Sequence, residues 1–130
     1  MSSAFNAIGA VDYTVIITRD MDAMRAFYED VLGFELERCL SENWFEYRIG
    51  NTILALSSPG LTKDDPPIPH GTAALQLAFR VPVEAVDACA AELTEKGIDI
   101  VSQPADRDFG HRTLFFRDPD GNLLEVYAEI

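Results

Sequence analysis

Few side chains in this 130-residue chain could carry out chemistry by residue type alone. There are two histidines, His70 and His111, and two cysteines, Cys39 and Cys89. The cysteines form no CxxC or zinc-like spacing, so each reads as a small buried apolar residue. His70 falls among prolines and His111 just before a strand, and both read as surface or turn histidines. Carboxylates are abundant, 22 against 10 lysines and arginines, so any general base must be one that the fold carries into a cleft. Arg48, Arg80, Arg112 and Arg117 could bind an anion, and each singly reads as a surface partner for those carboxylates. Trp44, Phe45 and Tyr47 crowd one segment, where an aromatic wall would suit a planar ligand. Alternation puts Phe45 and Tyr47 on one face and Trp44, Glu46 and Arg48 on the other. One set packs under a helix and the other lines a cleft. The segment from Gln103 to His111, with Asp106-Arg107-Asp108-Phe109-Gly110, lies where a ligand-covering loop would be.

The elements that must position these groups are legible. Val11–Thr18 is β-branched and aromatic and reads as a strand. Asp20 is a helix N-cap, and Met21, Met24, Phe27, Tyr28, Val31 and Leu32 make one apolar face of a helix running to Leu32. Gly33 follows where a left-handed cap belongs. Strands are expected at Phe34–Leu40, Trp44–Ile49 and Thr52–Ser57, the last two joined by a Gly50-Asn51 turn. Ser58–Thr72 holds four prolines and can continue neither a helix nor a central strand. The order then repeats. Ala73–Val81 reads as a strand, and Val83, Val86, Cys89, Ala90 and Leu93 as a helix face ending at Lys96-Gly97. Strands follow at Ile98–Gln103, Arg112–Arg117 and Leu123–Ala128, with Asp118-Pro119-Asp120-Gly121-Asn122 as a hairpin turn.

Both halves therefore read β-α-β-β-β. Module one covers about residues 10–58, a proline-rich linker 59–72 and module two 73–130. A unit of about 60 residues has too small a core to stand alone comfortably, so the two are expected to pair within a single domain spanning 1–130. The fold class is α+β, two tandem modules forming a curved mixed sheet around a cleft. Residues two apart on a strand share a face, which groups Tyr13 with Val15 and Ile17, Ala55 with Ile53 and Ser57, Gln76 with Ala78 and Arg80, and Glu125 with Leu123 and Tyr127.

A net charge of −12 repels phosphate, which argues against nucleic acid and anionic membrane surfaces as partners. No apolar run reaches the roughly 20 residues of a membrane helix, and the N-terminus lacks a signal-peptide pattern. A soluble protein of the reducing cytoplasm is expected.

Three segments resemble one family. TRDMDAMRAFYEDVLGFEL, LAFRVPVEAVDACAAELTEKGIDI and FGHRTLFFRDPDGNLLEVYAEI are similar, in order and spacing, to the vicinal oxygen chelate superfamily of glyoxalases, bleomycin- and fosfomycin-resistance proteins and extradiol dioxygenases. DPDGN followed two residues later by Glu is the most specific signal. The resemblance implies four ligand positions in metal-using members, which fall here on Tyr13, Ala55, Gln76 and Glu125. Only Glu125 and Gln76 suit a divalent ion, and no metal cofactor is expected. If one were present, Gln76 and Glu125 would hold it. The match is closer to metal-independent members such as the bleomycin-resistance proteins, which implies a homodimer that binds a small molecule.

The resulting expectation is a binding or sequestering protein with Tyr13, Ala55, Gln76, Phe45, Tyr47 and His111 around the ligand. The alternative is a lyase, isomerase or other enzyme of the superfamily, metal-dependent or using Glu125 as general base, with Gln76 and Tyr13 stabilising an enolate. A purely structural domain, its cleft filled by Trp44, Phe45 and Tyr47, is the third reading.

Overall fold

The computed structural model describes residues 3–60, 63–69 and 72–130. After a short 3-10 turn at Ala4–Ala7, the chain forms β1 (Tyr13–Ile17), α1 (Met21–Ala26), β2 (Leu36–Ser41), β3 (Trp44–Ile49) and β4 (Thr52–Ser57). The second half repeats this with β5 (Gln76–Arg80), α2 (Val83–Glu95), β6 (Ile100–Asp106), β7 (His111–Arg117) and β8 (Leu123–Glu129). The strands hydrogen-bond as two four-stranded mixed sheets of the same order, β1-β4-β3-β2 and β5-β8-β7-β6. In each, the first and last strands of the module pair in parallel and the remaining pairs are antiparallel.

The repeat holds at the level of register. Tyr13 pairs with Ile53 and Val15 with Ala55; Gln76 pairs with Leu123 and Ala78 with Glu125. Tyr13 and Gln76 are therefore structural equivalents, as are Ala55 and Glu125.

Asp20 caps α1, its Oδ1 accepting from the Ala23 N–H at 3.2 Å. The sequence reads as one regular helix to Leu32, but the chain widens into a π turn over Phe27–Val31, with the Leu32 N–H donating to the Phe27 carbonyl at 3.0 Å. Neighbouring residues in a regular helix point about 100° apart. The wider turn accompanies burial of both adjacent aromatics, Phe27 and Tyr28. Pro104 is accommodated because β6 is an edge strand with irregular register, where a missing N–H breaks no central ladder.

The buried core draws on both halves: Met24, Tyr28, Leu54 and Leu56 with Val86, Leu114, Phe116 and Leu124. The Phe27 and Phe116 rings lie 6.3 Å apart and the Phe34 and Phe79 rings 5.7 Å apart. A polar contact joins the halves inside this core. The buried Tyr28 hydroxyl donates to Asp118 Oδ2 at 2.7 Å. Asp118 also accepts from the backbone N–H groups of Asp120 and Asn122, both at 3.0 Å, and from Asn122 Nδ2 at 2.9 Å. The Asp-Pro-Asp-Gly-Asn turn is thus built around a buried, fully hydrogen-bonded carboxylate, and α1 is fastened to it. Burial, together with the Asp118 charge, pushes the Tyr28 phenol far above its ordinary pKa.

Along the proline-rich stretch, Gly60 and Lys63 form a β-bridge and the Arg19 guanidinium donates to the Asp65 carbonyl. His70 lies outside the described residues.

Candidate functional site

Each sheet has one face turned to the core and one turned away from it. In module two the core takes Leu114, Phe116, Leu124 and Val126, so Thr113, Phe115, Leu123, Glu125 and Tyr127 must lie on the opposite face. Glu125 sits there between Ala78 on β5 and Phe115 on β7. It is partly exposed and accepts a hydrogen bond from Gln76 Nε2 at 3.1 Å. The pair leaves the second Glu125 oxygen and the Gln76 carbonyl oxygen available to a ligand. His111 joins the same face. Its ring stacks on Tyr127 at 4.5 Å and 26°, and Phe109 meets its edge at 5.3 Å. The structure thus brings Glu125, Gln76 and His111 to one face.

In module one the corresponding face carries Tyr13, Val15 and Ile17, Ile53, Ala55 and Ser57, and Trp44, Glu46 and Arg48. Ala55 is fully buried between Val15 and Glu46 and offers only a methyl group. Tyr13 is 52% exposed. Among the described residues its ring meets Trp44, edge-on at 6.3 Å, rather than Gln76 or Glu125 of the other sheet.

Phe45 and Tyr47 are not on this face. Both are buried on the helix side. The Arg25 guanidinium of α1 lies 4.0 Å from the Phe45 ring centre. Tyr47 stacks on Tyr28 and donates to Glu29 Oε2 at 2.7 Å. Expecting these two around a ligand is therefore corrected. Alternation had divided the strand properly, and the core claimed the larger apolar half, as the greater burial of apolar area favours. Burial alone would raise the Glu29 carboxyl, but its bonds from Arg25 and Tyr47 outweigh that and hold it below the usual range.

Several residues on these faces went unsingled in the sequence. Glu46 stands directly opposite Ala55 in register, accepting from the Trp44 indole N–H at 2.6 Å and from Arg38. The indole bond is the main reason its pKa is lowered, burial opposing it and Arg38 assisting. Lys63 reaches Ser57 Oγ at 2.5 Å and lies 5.0 Å from the Trp44 ring centre. Arg107 folds over the Glu125 face, with Nε on Thr113 Oγ1 at 2.9 Å and a terminal nitrogen on Ser102 Oγ at 3.2 Å. Strand parity carried the signal for Glu46. For Arg107 only its place in the Asp106–Gly110 turn did.

The tandem βαβββ registers agree with a family-level match. The model of the Glyoxalase/Bleomycin resistance protein/Dioxygenase superfamily matches residues 10–126. The chain belongs to this superfamily. It is 31% identical over 120 residues to the uncharacterized protein YraH of Bacillus subtilis (strain 168), covering 86% of this chain and 92% of that one. It is 29% identical over 123 residues to the metallothiol transferase FosB of Shouchella clausii (strain KSM-K16), covering 93% and 81%. The crystal structure of lactoylglutathione lyase from Agrobacterium tumefaciens superposes with a TM-score of 0.75 at 28% identity, covering 93% of this chain and 94% of that one.

In metal-using members, the resemblance implies donors at four positions that fall here on Tyr13, Ala55, Gln76 and Glu125. These residues do not fit a divalent ion. A catalytic site of that kind normally keeps three protein ligands. Ala55 has no donor atom, and a neutral phenol hydroxyl is a poor donor to a divalent ion. That leaves one carboxylate and one amide oxygen. Among the described residues no group of three or more His, Cys, Asp or Glu side chains is gathered for a metal.

Proposed function

We propose that this glyoxalase-superfamily chain binds a small organic molecule on the Glu125 face of module two, without a resident metal. The observation that carries this reading is the asymmetry between the modules. Glu125 and Gln76 are present, paired and accessible, while their equivalents are Ala55 and Tyr13. Selection for a metal would need donors in both modules; binding a ligand by hydrogen bonds needs only one polar pair and an apolar surround. Phe115, Tyr127 and the His111 ring supply that surround.

The reading includes a homodimer of single-domain chains. Tyr13 and Ile17 are 52% and 45% exposed on the outer face of module one, and a second copy covering that face would remove their apolar surface from water. It also includes the reducing cytoplasm, in keeping with free thiols at the exposed Cys39 and the partly buried Cys89.

A second reading is favoured by the likeness to lactoylglutathione lyase and metallothiol transferase. Here Glu125 takes a proton from a ligand carbon, and Gln76 Nε2 stabilises the oxygen that gains charge.

The test is a panel of small oxygenated compounds screened by thermal shift against EDTA-treated protein, with hits passed to calorimetry and to product analysis. Binding without turnover, abolished in Glu125→Gln, is the expected result. Turnover lost in Glu125→Gln selects the second reading. Binding that appears only on adding a divalent ion overturns the first.

A further inference from the structure

We propose that Arg107 anchors an oxyanion of the ligand, a carboxylate or a phosphate group, on the Glu125 face. This inference rests on the reading that the ligand binds there.

The chain has ten lysines and arginines. Arg25, Arg38, Arg48, Arg80, Arg112 and Lys96 each pair with a carboxylate. Arg19 and Arg117 donate to backbone carbonyls. Lys63 sits on a hydroxyl and the Trp44 ring. Arg107 is held by two neutral hydroxyls, those of Thr113 and Ser102. In a chain with 22 carboxylates, Arg107 is partly buried yet has no carboxylate within salt-bridge distance among the described residues, so its charge can still take an acidic partner. A bond to a carboxylate or phosphate is roughly twice as strong as one to a neutral acceptor.

The side chain is also held in place before any ligand arrives. Its backbone is fixed in a tight turn, the Arg107 N–H donating to the His111 carbonyl at 2.7 Å and the Gly110 N–H to the Arg107 carbonyl at 3.1 Å. Gly110 has φ 92°, a conformation that suits glycine. Thr113 is almost fully buried. A guanidinium has five N–H donors, and two are used, so three on its terminal nitrogens remain.

Position follows from register. Ser102 pairs with Phe115, and Phe115 with Glu125. The hydroxyls that hold Arg107 are therefore one to two strand spacings from Glu125, on the order of 5–10 Å. Glu125 would repel a second negative group at its own end. The ligand class that fits is a small molecule with a single oxyanion group, held on Arg107, and a neutral hydroxyl or an ammonium group toward Glu125 and Gln76. The overall charge of −12 disfavours anions in general, so a local cation that no carboxylate neutralises is what such a ligand needs.

The test is a nitrogen-15 NMR titration of the intact protein with sodium acetate, with inorganic phosphate and with neutral acetamide, at constant ionic strength. The expected result is a saturable shift of the Arg107 Nε–H and of the Ser102 and Thr113 amides with acetate or phosphate, and none with acetamide. The stronger of the two anions names the group. Arg107→Gln should weaken the affinity by about tenfold or more. Thr113→Val, which leaves the charge but removes one hydroxyl support, should weaken it by a smaller factor. Absence of a saturable shift at these three residues with either anion overturns the inference, as does an unchanged affinity in Arg107→Gln with its fold intact by circular dichroism. If neutral compounds perturb Gln76 and Glu125 while neither anion perturbs Arg107, the binding face stands and the anion anchor falls. If nothing perturbs either group, both fall.

Discussion

Replacing Tyr28 by Phe removes one oxygen from the buried link between α1 and the Asp118 turn. The ring packing against Phe34 and Tyr47 is unchanged by the substitution, so the effect isolates the hydrogen bond. A bond to a charged acceptor contributes about 1.5–3 kcal/mol. Asp118 keeps its bonds from Asp120 and from the backbone and side chain of Asn122, so its carboxylate is not stranded and the cost belongs in the lower part of that range, about 1.5–2 kcal/mol. For a chain of this size that corresponds to a fall in Tm of roughly 5–10 °C. Urea unfolding followed by circular dichroism measures it directly. The pH dependence supplies an independent sign. The Tyr28 pKa is raised in the folded state, so its contribution is fully present below the unfolded phenol's pKa of about 10 and is lost as pH rises beyond it. The wild type should lose stability above that pH more steeply than Tyr28→Phe does. A loss below about 0.5 kcal/mol at neutral pH, or parallel alkaline limbs, would refute the role given to this bond.

The correction at β3 can be checked by comparing two tyrosines. Tyr47→Ala should destabilise by about 3–5 kcal/mol, as for a buried aromatic, whereas Tyr13→Ala on the exposed face should cost less than about 1 kcal/mol; equal costs in chemical denaturation would contradict the assigned faces. At Glu29 the folded-state pKa is depressed. Its contribution is therefore present above the unfolded carboxyl pKa and lost as pH falls through the lower folded value. Glu29→Gln should be less stable than wild type at neutral pH, and the gap should close in acid unfolding curves; a gap independent of pH would contradict this.

Much of the fold was legible because its signals are local and periodic. Trp44–Ile49 and Thr52–Ser57 are bounded as expected, since β-branched and aromatic runs closed by Gly50-Asn51 leave little choice. The π turn after Ala26 was not legible, because it answers to where Phe27 and Tyr28 must pack across the molecule. Among the site residues, parity placed Glu125 and Gln76 on one face. Which half of β3 would meet the core depended on α1 lying over it, so Phe45 and Tyr47 were misassigned. The meaning of Asp118 was hidden for the same reason: the motif showed a turn, and only the partner Tyr28, 90 positions away, shows that it also joins the halves. Arg107 became visible only once every other cation's partner was known.

The claim that most needs testing is that the Gln76–Glu125 face works without a resident metal. Elemental analysis of protein purified without chelator, followed by calorimetric titration of the EDTA-treated protein with zinc, manganese and nickel, tests it directly. The account predicts far less than one metal per chain and no tight saturable binding by any of the three. One tightly held equivalent per chain, abolished by Glu125→Ala, would contradict it.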